Sequence, residues 1–337
     1  MSDGTIQYNE LLSALADAAL GEDQGRSIKV SIDRLLGSRV LEELRPHSLS
    51  ETLISLAEVN LPLARLAEGH VNANQLLERL QGEARGGLLG VWGADGDRPS
   101  RVECGRLTGV KRYASGLGIV TDAIISVRVG DATRLAIVPA DNPARQRPET
   151  WRMTGMRATV SGDFQIDDLE PVWLGDADAY FEEPYFLGGV WRIAALQTGG
   201  TLGLLGAVRD HLAELGRLES EAQIARLGPL VARALAARGL VERAAEVAEG
   251  REGRNDPNRA VAMSVMARLY TEDLAQDSIR AAERAVGLAH FDWASTSGRR
   301  ARDLAVYCRQ VARDSLEQTA GRIALAGSGR LSELWNG

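Results

Sequence analysis

Residues 123–138, AIISVRVGDATRLAIV, decide the fold, because here the apolar residues begin to repeat every two positions. Ile125, Val127 and Val129 alternate with Ile124, Ser126 and Arg128, and Leu135 and Ile137 alternate with Ala136 and Val138. Two strands are predicted. On both sides of this island the period is helical. From Tyr8 to Leu80 the punctuation is that of helix ends: Ser48 with Glu51 fits a capping box and predicts a helix start, and Asn60 before Leu61 and Pro62 predicts another, running to about Leu80. Between helices and strands, residues 81–99 hold Gly86, Gly87, Gly90, Gly93 and Gly96 with turn residues Asp95, Asp97 and Pro99, and read as a boundary.

Beyond the two strands, Asn142 to Thr150 reads as a loop, and a further strand pair is expected across Met153 to Val172, turning near Gly162 or Asp167 and Asp168. The strand region ends near Tyr180. After Pro184 the helical period returns and holds to about Leu325, broken at Gly250 to Pro257 and near Ser295 to Gly298, so four long helices fit. Their alanine-rich faces around Val231 to Ala248 permit close helix packing in a bundle. The order gives an α+β protein: an N-terminal helical domain at 1–85, a middle antiparallel β domain at 86–180 and a C-terminal four-helix bundle at 181–337. A doubly wound sheet is disfavoured, since strands and helices do not alternate and the glycine cluster lacks G-x-G-x-x-G between a strand and a helix.

The 337 residues are 45% hydrophobic and 25% charged, an ordinary globular composition. A chain of this length removes roughly three quarters of its unfolded surface from water, so it needs neither metal nor disulfide to hold its fold. The net charge of −7 and isoelectric point of 5.4 oppose nucleic-acid binding. Cys104 and Cys308 stand apart, without metal-site spacing, and read as buried thiols. His70 and His211 are isolated and read as structural histidines. The apolar stretch from Gly188 to Val208 carries Arg192, Gln197 and several glycines, which suits a core helix better than a membrane span. The first twenty residues lack the pattern of a signal peptide, and a cytoplasmic location is expected.

Several local stretches carry a resemblance. Leu107-Thr108-Gly109-Val110-Lys111-Arg112-Tyr113-Ala114-Ser115-Gly116 is similar to a strand ending in Gly-x-Lys-x-Trp-Ile-Thr-x-Gly, with Tyr113 in the aromatic place and Ser115 in the hydroxyl place; Asp122-Ala123 follows as a reversed Ala-Asp pair. Residues 61–77, LPLARLAEGHVNANQLL, resemble the helix before that β domain, residues 153–175 its last strands, and Tyr180 to Phe186 the run into the bundle. Arg284 to Phe291 stands where Gln-x-x-Gly-Gly-x-Gly-Tyr is usual, and Arg302-Asp303 at an Arg-Asp pair. The family is the acyl-CoA dehydrogenase superfamily, which the chain resembles over nearly its whole length.

The resemblance implies FAD between the β domain and the bundle, in a homodimer or homotetramer with help from the neighbouring subunit. It places Trp92, Gly93, Tyr113, Ser115, Arg284, Gly287 and His290 at the cofactor. Two departures stand out. Residues 92–99, WGADGDRP, lack the threonine and glutamate of the usual Thr-Glu-Pro-x-x-Gly-Ser-Asp loop, and Leu288 and His290 replace small residues at the pyrophosphate turn. The family's base, a glutamate following the Arg-Asp pair, falls on Gln310 or Val311, and the alternative turn, Arg192 to Ala195, holds no carboxylate. Glu182 and Glu183 lie about three turns too early. Asp303 is a candidate base or an interhelical ion pair or cap. Tyr113 reads as flavin platform or sheet aromatic, Trp92 as ligand contact or core. The arginines of residues 233–254 read as a solvated face paired with glutamates. These features lead to two functions: a flavin-dependent oxidoreductase acting on an acyl thioester or related small molecule, or a catalytically degenerate scaffold of the same fold.

Overall fold

The computed structural model describes residues 3–42, 46–309, 313–326 and 329–336. Four helices open the chain: α1 (Asp3–Asp23), α2 (Lys29–Gly37), α3 (Pro46–Val59) and α4 (Leu61–Arg79). Asn60 caps α4 as its sequence predicts, with Oδ1 accepting from Leu63 N at 3.2 Å. Its Nδ2 donates to the buried carboxylate of Glu22 (2.7 Å), which also accepts from Ser31 Oγ, so one carboxylate ties α1, α2 and the α4 cap together. Asn60→Ala removes the cap and one donor to a buried acceptor, and is expected to lower stability by about 2–3 kcal/mol, read from the urea midpoint at unchanged slope. The Ser48–Glu51 capping box does not form. α3 begins at Pro46, which places Ser48 inside the helix, and Glu51 instead accepts from Arg238 at 2.5 Å.

The β region comprises β1 (Leu88–Trp92), β2 (Arg101–Glu103), β3 (Arg106–Thr108), β4 (Val110–Ala114), β5 (Val120–Val129), β6 (Ala132–Pro139), β7 (Gln146–Arg147), β8 (Gly162–Gln165) and β9 (Val172–Leu174). β5 and β6 are the two strands predicted from residues 123–138, paired antiparallel from Asp122 with Pro139 to Val129 with Ala132. They centre a six-stranded sheet ordered β3-β2-β5-β6-β9, with β1 also on β5; a second sheet runs β4-β8-β7. The pairing is antiparallel except that β1, and the start of β2, run parallel to β5. A parallel pair needs a long crossover, which residues 93–119 supply.

Two expectations fail here. A strand, β1, stands where the glycines of 81–99 suggested only a boundary. The strand pair across Met153 to Val172 is absent, because β8 joins β4 and β7 while β9 joins β6. Left-handed backbone at Met156 (φ 54°) and Val160 (φ 42°) keeps that segment irregular. Cys104 also departs from expectation: it lies exposed in the β2–β3 turn, whereas Cys308 is buried and its thiol is pushed up to about 12 by burial.

The chain then forms α5 (Trp191–Glu214), α6 (Glu221–Glu249), α7 (Arg251–Asn255), α8 (Pro257–Val286), α9 (Thr296–Tyr307), α10 (Arg313–Ala326) and α11 (Glu333–Asn336). α5, α6 and α8 are long bundle helices, and the fourth position is divided between the shorter α9 and α10. The predicted breaks are capped: Asp256 accepts from Arg259 N before Pro257, and Ser295 from Gly298 N. The alanines of α6 face inward, with Ala234, Ala237, Ala244 and Ala245 fully buried. Its arginines pair both along the helix and across to other helices, Arg238 with Glu242 and Glu51, and Arg233 with Asp277. α5 is the central helix, and among the described residues no helix is long and apolar enough to cross a membrane.

Candidate active site between sheet and bundle

β4 carries the centre of the site. Lys111 is fully buried, its Nζ donating to Asp95 (2.7 Å) and to the carbonyls of Gly93 (3.1 Å) and Ser126 (3.0 Å); burial pulls the ammonium down and Asp95 opposes that. This interior lysine anchors the strand. Between Lys111 and Ala114 the pairing with β8 slips at a bulge, and Tyr113 takes a left-handed backbone (φ 57°). The bulge throws its ring outward: Tyr113 is 52% exposed and meets Trp151 edge-on at 6.3 Å. Beside it, Ser161 Oγ hydrogen-bonds both Ser115 Oγ (2.9 Å) and Thr159 Oγ1 (2.7 Å), a row of three hydroxyls. Trp92 is core, packed on Phe164 at 5.1 Å, and its Nε1 holds the Ser115 carbonyl at 3.1 Å. It supports the site from behind and does not line it.

Residues 151–160 join this strand to the bundle. Trp151 Nε1 donates to the Met156 carbonyl (3.0 Å), and Met156 N donates to Asp303 Oδ1 of α9 (2.6 Å). Asp303 is 2% exposed, with Arg299 at 3.5 Å; burial pushes its carboxyl up to about 6 against the pull of Arg299 and the Met156 N–H. Asp303 therefore pairs with Arg299 along α9 and crosses the seam through the Met156 N–H alone. Next to it, the guanidinium groups of Arg157 and Arg302 both lie over the Trp293 ring, at 5.7 and 4.9 Å. Arg302 Nε and Nη2 are buried without a hydrogen bond, Nη2 keeping only a long ion pair to Asp23 of α1 at 3.8 Å.

The residues expected around the pyrophosphate turn lie at the other end of α9. Gly287 ends α8 with φ 72°, Arg284 is exposed, and His290 is buried with Nδ1 3.1 Å from Ser297 Oγ. Within this chain the structure thus brings Trp92, Gly93, Tyr113 and Ser115 together and leaves Arg284, Gly287 and His290 as a second group. Sequence reasoning missed Trp151, Trp293, Arg157 and Ser161. The signal available was six tryptophans in a chain with few aromatics, one of them, Trp293, 67% exposed.

Behind β4 lies the charged pair of α4. Arg65 pairs with Glu68 at 2.5 Å, and both act electrostatically on the phenols of Tyr180 and Tyr307, which burial pushes up and so keeps neutral. Tyr180 and Gly93 are neighbours, since a Cβ on Gly93 would lie 3.4 Å from the phenol oxygen. Other carboxylates near the first bundle helix are engaged: Glu182 with Arg79, Glu183 with the N–H groups of Leu187 and Gly188, and Glu249 with Arg192. The positions counted for the usual base, Gln310 and Val311, lie outside the described residues. His70 is structural, taking the Leu89 N–H at Nδ1. Among the described residues no cluster suits a metal.

This arrangement of helices, sheets and bundle is the acyl-CoA dehydrogenase-like fold. Among solved structures, the chain is similar over its whole length to FMN-bound TdsC of Paenibacillus sp. A11-2, a dibenzothiophene monooxygenase, with a TM-score of 0.80 and 15% identity over 97% of this chain and 98% of that one. It is equally similar to a nitrososynthase from Micromonospora carbonacea var. africana (TM-score 0.79, 16% identity, 97% and 98% covered) and to butyryl-CoA dehydrogenase from Megasphaera elsdenii (0.80, 14%, 95% and 98%). No protein-family model matches the chain, and no curated protein matches it in sequence.

Proposed function

We propose that the protein is a flavin-dependent oxidoreductase whose ring site is the seam at Tyr113 and Ser115. One observation carries this: the bulge in β4 presents a half-exposed aromatic ring next to Ser115, whose hydroxyl heads a short buried row, close to a seam where Arg302 is buried with Nε and Nη2 unbonded and only a long ion pair to Asp23 at 3.8 Å. Such donors are costly to leave unmade, and an anionic phosphate satisfies them. The residues fit a flavin. Tyr113 and Trp151 suit its aromatic face, Ser115 and Ser161 the polar edge of its ring, Arg157 and Arg302 its phosphate. The adenylate half of FAD finds at the α8 end only exposed Arg284 and a His290 already engaged by Ser297, so FMN suits this chain at least as well as the FAD that the family resemblance implies.

When bound, flavin supplies hydride acceptance and, once reduced, electron transfer to dioxygen. The chain's residues decide which is used. Dehydrogenation of an acyl thioester needs a carboxylate to take the α-proton, and its absence costs on the order of 10² to 10⁴ in rate. Neither the turn at Arg192 nor Gln310 and Val311 provides one. Oxygen-using chemistry on a small molecule, which needs no such base, is the reading the sequence supports.

The test is the visible absorption spectrum of the purified protein, before and after adding FMN or FAD, with chromatography of the released flavin. Binding at about one flavin per chain is expected. Tyr113→Ala should weaken it about tenfold and, because the ring is exposed, shift unfolding by less than about 0.5 kcal/mol. A protein that takes up neither flavin would instead be the degenerate scaffold.

A further inference from the structure

The outer face of α6 is apolar for about five turns. Every fully exposed residue between Ala222 and Gly239 is alanine, glycine, proline or a branched aliphatic. The large ones, Ile224 (54% exposed), Val231 (41%) and Leu235 (58%), form one stripe at helical spacing. The arginines of the same stretch are half-buried at the flanks and bonded within the chain: Arg226 to Gln223, Arg233 to Asp277, and Arg238 to Glu242 and Glu51. Beside the stripe, a groove of about 350 Å³ between α5 and α6 is walled mainly by Leu202, Leu205, Leu212, Leu218 and Leu227, next to Ile224.

Two further observations set this face apart from an ordinary solvated helix. Gly228 and Gly239 stand within it, although a Cβ on either would meet nothing within 4 Å. Nothing inside the chain therefore calls for glycine where alanine makes a better helix. The chain by itself also exposes 16233 Å², whereas a folded monomer of its mass, 36.3 kDa, exposes about 13,400 Å². The excess, about 2,800 Å², is larger than the roughly 800 Å² per partner that a standard interface covers.

We infer that a second copy of this chain docks on α6, the two helices running antiparallel about a two-fold axis that crosses between Gly228 and Val231. The groove at Ile224 and the protruding Leu235 lie on one helix, about 16 Å apart along its axis. A two-fold therefore seats each Leu235 against the other copy's Ile224 and groove. In that register Val231 meets the other copy's Gly228, where the missing side chain lets the axes approach closely, and Glu221 comes level with the other copy's Arg238. Arg226 and Arg233 fall level as well, but on the side of α6 away from the stripe. A foreign helix would match one end of this face; a second copy matches both ends at once. No residue of α6 belongs to the site at Tyr113 and Ser115, so the inference stands apart from the flavin reading.

Sedimentation velocity of the full-length protein over a concentration series tests this, with circular dichroism on the same samples to confirm folding. The wild type is expected to be a dimer or a larger even assembly. Leu235→Glu should halve its mass with the helical spectrum intact, since the side chain is exposed, and Ile224→Arg should do the same. Combining Leu235→Glu with Ile224→Arg should restore the mass. The two positions are too far apart along α6 to pair within one chain, so only antiparallel copies bring these opposite charges together, a recovery that a misfolded variant cannot give. Gly228→Leu should weaken association about tenfold or more, because the close approach is lost. A monomeric wild type, which would leave the face to a different protein, an unchanged mass in Leu235→Glu, or no recovery in the double variant would overturn the assignment.

Discussion

Gly199→Ala is expected to destabilise the protein by about 3 kcal/mol, while Gly206→Ala, seven residues further along the same helix, should be neutral or stabilising by up to about 1 kcal/mol. Both exchange glycine for the best helix former within α5, so propensity alone would make both favourable. They differ in what a methyl group meets. On Gly199 it would overlap the carbonyl oxygen of Ile54 and lie 2.7 Å from the Ala57 Cβ and 3.0 Å from Glu58 N; on Gly206 nothing lies within 4 Å. The obstacles at Gly199 are the backbone and first side-chain carbon of α3, which cannot rotate away, so the helices must separate. Gly203, one turn on, meets the Glu58 carbonyl in the same way. The two glycines set the closest approach of α3 to α5, and α3 leads directly into the Asn60 cap and the α4 face that bears Arg65. Urea unfolding of both variants measures the contrast, and a Gly199→Ala midpoint at or above that of Gly206→Ala would falsify the close-contact account.

The sequence made these glycines visible but not their purpose. Between Gly188 and Val208 they read correctly as features of a core helix, because that part of α5 is buried on nearly every side while Arg192 and Gln197 make it a poor membrane span. Their partner, however, lies about 140 residues earlier in α3, and no local pattern encodes a contact at that separation. β5 and β6 were legible because a period of two shows within eight residues. β1 was not, because Leu88 to Trp92 is a short apolar run broken by Gly90, and only its parallel pairing with β5 makes it a strand. Caps sort the same way. Asn60 and Ser295 act through N–H groups three residues on, so they could be read directly. Ser48 could be read too, but Pro46 starts the helix first.

At the site, Tyr113 and Ser115 were legible from a single strand, while the bulge that turns the ring outward was not, since a tyrosine gives no sign in sequence of a left-handed backbone. Arg157, Trp293 and Arg302 come from a loop and from the two ends of another segment, and meet where Asp303 ties Met156 to α9. Arg65 and Glu68 did leave a signal, a charged pair three residues apart inside an otherwise apolar helix face. The family resemblance drew attention to that helix as a whole, and the charge was absorbed into it.

Asp303 offers the second large effect, through pH. Burial raises its carboxyl from the ordinary 3.8 to about 6, against the opposing pull of Arg299 and of the Met156 N–H. The folded protein therefore binds this proton more tightly than the unfolded chain does. The stability linked to it is fully present below about pH 4 and is lost as pH rises through about 6, a change of roughly 3 kcal/mol for a shift of this size. Other carboxylates, such as Asp167 beside Arg98, are held below their ordinary range and act in the opposite sense at lower pH, so the wild-type curve alone cannot isolate the term. Asp303→Asn can. It keeps an oxygen for the Met156 N–H and does not titrate. The wild-type stability minus that of Asp303→Asn should fall as pH goes from 4 to 7, by up to about 3 kcal/mol, in paired urea titrations. A flat difference would mean that the seam leaves this carboxyl at its ordinary value. A rising one would mean that Arg299, one turn away on the same helix, outweighs burial and holds Asp303 as a carboxylate.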